Sequence, residues 1–177
     1  DAVAPELSAN HFKTFKRKRF SNEEYVDFIS QLDPVGEPDQ QFHYSNFGYH
    51  LLCIVLEKAY GQAFSEILEN EICDPLNING TFNTTSNESI YSSVAEGYNP
   101  TEVDGIWTRN QFIDLSLGRR IFATAPDLYR WGAAMTDDRL LSASARADMQ
   151  TNHIGALNPQ ISYGYGWVVY GKQEKYG

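Results

Sequence analysis

The sequence predicts an α+β protein in which helices dominate and one or two strands belong to an incomplete antiparallel sheet. Three stretches carry that expectation. Ser21-Asn22-Glu23-Glu24 sets a hydroxyl residue three positions before a glutamate, and Tyr25, Phe28, Ile29 and Leu32 follow at helical spacing. From Phe47 the apolar residues Leu51, Leu52, Ile54, Val55, Leu56 and Ala59 recur densely until Gly61, the pattern of a helix closed by a left-handed stop. Near the end, Tyr163-Gly164-Tyr165-Gly166-Trp167-Val168-Val169-Tyr170 is aromatic and β-rich, and reads as a strand.

The elements follow in order. Residues 1–20 lack periodicity and read as a surface arm, 21–150 as a mainly helical region, and 160–177 as a strand of a larger sheet, within a single partial domain spanning 1–177. Ser21 caps the first helix, which ends before Pro34, and Asp33 to Gln40 is a turn region. The second helix runs from about Asn46, read as its N-cap, to Tyr60. The third runs from about Ala63 to Cys73, turns Phe64, Ile67, Leu68 and Ile72 inward, and is ended by Pro75. A polar loop occupies 77–93; its Asn-x-Ser/Thr triplets at Asn79, Asn83 and Asn87 read as compositional clustering rather than glycan sites. Thr124 caps a further helix, with Asp127 closing the reciprocal bond and Leu128, Trp131, Ala134 and Met135 as the buried stripe. Leu140-Leu141-Ser142 opens a last short helix to about Met149.

Composition narrows the function. The chain of 177 residues is 42% hydrophobic and 14% aromatic, enough for a packed core. Its net charge of −9 argues against nucleic acid as a partner. Lys13, Lys16, Arg17, Lys18 and Arg19 form a local basic cluster, read as a solvated loop. No apolar run approaches the ~20 residues that span a bilayer. The first residue is Asp1 rather than Met, which suits a processed chain or a section of a longer one. The histidines His11, His43, His50 and His153 are too scattered for a metal site, and no cofactor motif is present, so neither metal nor cofactor is expected. Cys53 and Cys73 form either a disulfide or two buried thiols, the commoner outcome. His50 and Cys53, one turn apart, read as a surface imidazole beside a buried thiol rather than a reactive pair.

The stretch Gln41-Phe42-His43-Tyr44-Ser45-Asn46 sets a polar cluster against a helix start. In an extended segment, side chains two apart share a face, so Tyr44 and Asn46 converge while Ser45 points elsewhere. Without further context a ring packed on a helix start beside a capping Asn explains that pair.

Tyr44-Ser45-Asn46, then Phe47-Gly48-Tyr49, Leu51-Leu52, Glu57, Gly61 and Asp74-Pro75-Leu76, resembles the Tyr-x-Asn region of the serine β-lactamase-like family. That family takes in class C β-lactamases, D-alanyl-D-alanine carboxypeptidases and related esterases. Gly118 to Leu128 and Tyr163-Gly164-Tyr165-Gly166-Trp167 resemble later family segments. This chain departs with Pro38-Asp39 for Pro-Gly, Cys53 for Gly, and Asn77-Ile78 for Gly-Met. The resemblance implies a β-lactamase/DD-peptidase-like fold and acyl-enzyme hydrolysis of a β-lactam, a D-amino-acid peptide or amide, or an ester. It assigns catalysis to Tyr44 and substrate binding to Asn46. A free phenol titrates near ~10 and is a poor base at neutral pH without a neighbouring cation, which in the family is the nucleophile-helix Lys. It also implies a periplasmic or extracellular location, with membrane proximity through a leader or anchor.

The family nucleophile is a Ser followed three residues later by Lys, and no Ser of this chain has that Lys. The terminal His-x-Gly or Lys-Thr-Gly triad is missing as well; His153-Ile154-Gly155 precedes the aromatic strand instead of following it. The expectation is therefore an internal section of a serine hydrolase, inactive alone, with an incomplete sheet that favours self-association. The competing reading is a non-catalytic binding or scaffold protein of the same fold. A third, an aromatic ligand module using Trp107, Trp131 and Trp167, conflicts with the core positions that spacing gives Trp131 and Trp167.

Overall fold

A computed structural model describes residues 20–34, 36–84, 94–95, 97–100, 106–109, 120–154 and 162–169. The arm expected over 1–20 falls outside these residues apart from Phe20, as do the basic cluster at 13–19 and the end of the chain beyond 169. The described helices are α1 (Asn22–Ser30), α2 (Asn46–Tyr60), α3 (Phe64–Leu68), a π-helical turn (Glu69–Cys73), α4 (Asp74–Leu76), α5 (Ala125–Ala134) and α6 (Ala143–Met149). The described strands form three antiparallel pairs: β1 (Phe82–Thr84) with β4 (Arg120–Phe122), β2 (Tyr98–Pro100) with β3 (Trp107–Arg109), and β5 (Ser162–Tyr163) with β6 (Val168–Val169). No described helix is long and apolar enough to cross a membrane.

α1 begins where the sequence places it. The Ser21 hydroxyl accepts from Glu24 N at 3.1 Å and the Glu24 carboxylate accepts from Ser21 N at 3.0 Å, closing a complete capping box. α1 packs on α2 through Tyr25, which is fully buried. Its ring meets His50 edge-on at 4.1 Å, and its hydroxyl donates to the carbonyl of Phe47 at 3.3 Å. Burial pushes the Tyr25 phenol well above its ordinary range. Glu57 then ties three helices together: it accepts from Asn22 Nδ2 at 2.7 Å and from Phe64 N, at the start of α3, at 2.9 Å.

Glycine conformations explain two departures from the family pattern. α2 ends as expected on Gly61, in the left-handed region with φ 66°. Asp39 and Asn77 stand where the family carries glycine, and both are left-handed, with φ 61° and 52°. Asp and Asn are the non-glycine residues that tolerate this conformation most readily. Asn77 also closes α4, so the helical run continues through Pro75 to Leu76 instead of stopping at Pro75. Pro75 stands directly after the π turn, whose closing amide, Asp74 N, donates to Glu69 O. The single helix expected from Ala63 to Cys73 is interrupted by the π turn at Glu69–Cys73.

A second core lies between this helical run and α5, built on Leu68, Cys73, Leu76, Ile78, Ala134 and Met135. Thr124 caps α5 as predicted, accepting from Asp127 N at 3.2 Å. Asp127 does not close the reciprocal bond. It is buried, and its carboxylate accepts from Gly80 N (2.9 Å) and Thr81 Oγ1 (3.2 Å) across the core and from Arg130 Nη1 (2.9 Å) one turn along α5. Leu128, expected inside, is 56% exposed. The stripe turns on Asp127, Trp131 and Ala134 because the loop at Gly80–Thr81 supplies polar partners where an apolar neighbour was expected.

Of the strand read from Tyr163 to Tyr170, Tyr170 lies outside the described residues, and residues 162–169 form a hairpin. Gly166 takes φ 80° in its turn, and Gly164 N donates to the carbonyl of Trp167 at 2.8 Å. The hairpin is anchored on the end of α6: Tyr165 N donates to Met149 O and His153 N to Tyr163 O, each at 2.9 Å. A Cβ at Gly164 would collide with the Met149 carbonyl, so only glycine allows this approach. Trp167 stacks on Trp131 of α5 with centroids 5.4 Å apart and planes 4° from parallel, both rings half-buried.

Candidate functional site

The polar segment before α2 forms one wall of a surface groove of ≈ 400 Å³. Phe42, Tyr44 and Ser45 line it from the segment, Tyr49 and Leu52 from α2, and Tyr163 from the hairpin. Tyr44 is 52% exposed there.

The cap differs from the expected one by a residue. Ser45, extended at φ −137° and ψ 109°, is the N-cap, and its hydroxyl accepts from Gly48 N at 3.1 Å. Asn46 is therefore the first helical residue rather than the cap. Ser45 does not face away: it lines the groove while it caps. The two-residue alternation stops at Ser45, so Tyr44 reaches the groove and Asn46 is not among the residues lining it.

Tyr163 is the site feature that sequence reasoning missed. Its hydroxyl lies 3.1 Å from that of Tyr49, and its ring sits 5.4 Å from Phe42. The hydrogen bond with Tyr49, burial and the nearby phenol together push the Tyr163 hydroxyl up to about 12. Tyr163 thus fastens the hairpin both to α2 and to the segment carrying Tyr44. The repeated Tyr-Gly of the hairpin was visible in the sequence; its partner 114 residues away was not.

Other candidates resolve structurally. Cys53 and Cys73 are both thiols, Cys53 half-buried and Cys73 buried, so they are not bridged. Burial, followed by the charges of Glu69, Asp127 and Asp74, pushes the Cys73 thiol up and keeps it protonated. His50 and Cys53 reverse the expected exposure, because His50 is turned onto Tyr25 between α1 and α2. His153 stacks on Tyr165 at 4.0 Å, and its Nε2 lies 2.8 Å from the carbonyl of Asp148. Among the described residues no cluster of three His, Cys, Asp or Glu side chains is placed to hold a metal.

The helical run around a capped Tyr-Ser-Asn segment, with small antiparallel pairs beside it, is the architecture of one protein class. Residues 3–177 match the family model described as Beta-lactamase, and the chain belongs to that family. Among its relatives, penicillin-binding protein 4* of Bacillus subtilis (strain 168) is 28% identical over 168 residues, covering 87% of this chain and 37% of the relative. The solved penicillin-binding protein from Bacillus halodurans superposes with a TM-score of 0.68 at 26% identity, over 80% of this chain and 44% of that one. D-amino acid amidase from Ochrobactrum anthropi SV3 gives a TM-score of 0.64 at 25% identity, over 76% and 41%. The chain therefore spans less than half the length of these relatives. Their structures share the β-lactamase/penicillin-binding-protein fold, and the α+β reading of the sequence holds.

Proposed function

We propose that this chain is a section of a serine hydrolase that works through an acyl-enzyme, and that Tyr44 is its proton carrier. The observation that supports this is the placement of Tyr44: half-exposed in a groove, on a segment held at one end by the Ser45 cap and against the hairpin by the Phe42–Tyr163 contact. The backbone that carries this phenol is anchored on both sides and its hydroxyl is open to a substrate in the groove, the access that general acid–base work needs. In this reading the nucleophilic Ser and its Lys come from polypeptide outside these 177 residues. With that Lys holding Tyr44 as the phenolate, the phenolate oxygen takes the serine proton as the acyl bond forms, and the resulting phenol passes it to the leaving group, which restores the phenolate. By the family resemblance Asn46, in the first turn of α2, hydrogen-bonds the substrate amide or that Lys, although it does not line the groove that these 177 residues form. Substrates are β-lactams, D-amino-acid peptides or amides, or esters; similarity to a D-amino acid amidase and to penicillin-binding proteins favours the D-amino-acid derivatives. The proposed location is periplasmic or extracellular.

The test uses the complete gene product and its Tyr44→Phe variant, with D-amino-acid amides, an activated ester and a chromogenic cephalosporin. Phe keeps the ring and removes the transferable proton, so kcat should fall by ~10²-fold or more, with the melting temperature unchanged. Intact turnover with a lowered melting temperature would make the phenol structural. A complete protein without Ser-x-x-Lys and without turnover would favour the non-catalytic, fold-retaining reading instead.

A further inference from the structure

Asn79-Gly80 is the one Asn-Gly pair in the sequence. Glycine after asparagine leaves the carboxamide carbon open to the next backbone nitrogen, because no Cβ stands in the way. In that reaction the Gly80 amide gives its proton to solvent base, its nitrogen bonds to Asn79 Cγ, and the Cγ–Nδ2 bond breaks to release ammonia. Water then opens the succinimide ring at either carbonyl, giving aspartate or isoaspartate, and nothing is oxidised or reduced. The Asn79 side chain poses little obstacle to this: it is exposed, and its Nδ2 donates to the Asn77 carbonyl over a long 3.4 Å. The Gly80 nitrogen does. Its N–H donates to the buried Asp127 carboxylate at 2.9 Å, and Thr81 Oγ1 donates to the same oxygen at 3.2 Å. Gly80 also lies so close to α5 that a Cβ there would stand 2.6 Å from Thr124 Cγ2. An amide hydrogen held by a carboxylate is shielded from the base that must remove it.

We propose that Asn79 is a latent deamidation site, held inert by the hydrogen bond from Gly80 N to Asp127 and released when the Gly80–Thr81 loop lifts off α5. Anchors on both sides of Asn79 make the change self-sealing. Ile78 is buried in the core between the helical run and α5, while Gly80 and Thr81 are tied to Asp127. Isoaspartate adds one methylene to the backbone between these anchors, so both cannot be seated at once. Asp127 is then left buried with fewer donors, which holds the loop away from its native position. An opening that lasts long enough for the reaction therefore prevents correct reclosing, and the isoaspartate fraction grows with the time the loop has spent open.

The test uses the complete gene product and needs no turnover. Peptide mapping by mass spectrometry follows conversion of Asn79 during incubation at neutral pH, and an isoaspartate methyltransferase assay separates isoaspartate from aspartate. Conversion should be ~10-fold or more slower in the folded protein than in urea, because only the open fraction reacts. Asp127→Asn keeps the size of the side chain and weakens the acceptor, so the folded variant should convert ~3-fold or more faster than the parent. Where Asp127→Asn does not fold, Thr81→Val carries the same expectation, since it removes one of the loop's two bonds to the carboxylate. Ser21→Ala removes the α1 cap, far from the loop in sequence, and should leave the rate at Asn79 unchanged. Equal rates in folded and urea-unfolded protein would overturn the proposal, as would no conversion in urea. A folded Asp127→Asn variant reacting at the parent's rate would remove Asp127 as the guard. Acceleration by Ser21→Ala as large as that by Asp127→Asn would replace loop opening with global unfolding and overturn it as well.

Discussion

Gly80→Ala tests the junction that holds the loop before β1 on α5. A Cβ built at Gly80 lies 2.6 Å from Thr124 Cγ2 and 2.9 Å from Asp127 Oδ2, both inside normal contact. Two routes relieve the clash. Rotating Thr124 removes its methyl but also withdraws the hydroxyl that accepts from Asp127 N at 3.2 Å, which costs about 0.5–2 kcal/mol as a lost cap. Moving the loop away stretches the 2.9 Å bond from Gly80 N to Asp127, and overpacking of this kind costs about 1–3 kcal/mol. The cheaper route sets the expected loss at about 1–2 kcal/mol, and each kcal/mol lowers the melting temperature of a chain this size by about 2–4 °C. Thr124→Ser deletes the offending methyl and keeps the cap, so Gly80→Ala in that background should lose clearly less. Full rescue is not expected, because the contact with Asp127 Oδ2 persists. Urea or thermal melts of the parent, the two single variants and the double variant give the coupling energy directly. If Gly80→Ala melts like the parent, or loses as much in the Thr124→Ser background as it does alone, the packing argument is wrong.

The remaining predictions concern α2 and its contact with the hairpin. Ser45→Ala should cost about 1 kcal/mol as the lost cap of α2, whereas Asn46→Ala leaves that cap in place; a Ser45→Ala variant that melts like the parent would remove Ser45 as the cap. Tyr163 holds its proton up to about 12, against an ordinary value of 10.0, chiefly through the hydroxyl of Tyr49. The folded state therefore keeps a proton that the unfolded chain releases at lower pH. The stabilisation from this group is fully present below about 10 and is lost as pH rises toward about 12. Urea midpoints across that range should fall less steeply for Tyr163→Phe than for the parent, and parallel slopes would remove Tyr163 from the alkaline transition.

What the sequence determined by itself is the set of features whose causes are local. The Ser21–Glu24 box and the Thr124 cap depend on side chains reaching backbone groups of one helical turn, the Gly61 stop on a residue free to turn left-handed, and each stands where it was read. The family motif was legible for the same reason, being a short ordered string around Tyr44. The cap of α2 was misplaced by one residue because Ser45 and Asn46 are both good caps. Their neighbours alone do not say which one stays extended.

Only the tertiary structure decided what each apolar or polar side chain meets. Periodicity marked Leu128 as core because it is apolar, but the Gly80–Thr81 loop arrives beside Asp127 and buries the carboxylate instead. The aromatic run from Tyr163 has strand composition, yet it folds back at Gly164 and Gly166, where the Met149 carbonyl at the end of α6 accepts from Tyr165 N. The groove joins Phe42, Tyr44 and Tyr49 to Tyr163, and the Tyr49–Tyr163 bond spans 114 residues. Local propensity carries no information about a contact at that separation, since its free energy is realised only once the helices, the hairpin and the α6 anchor are all in place.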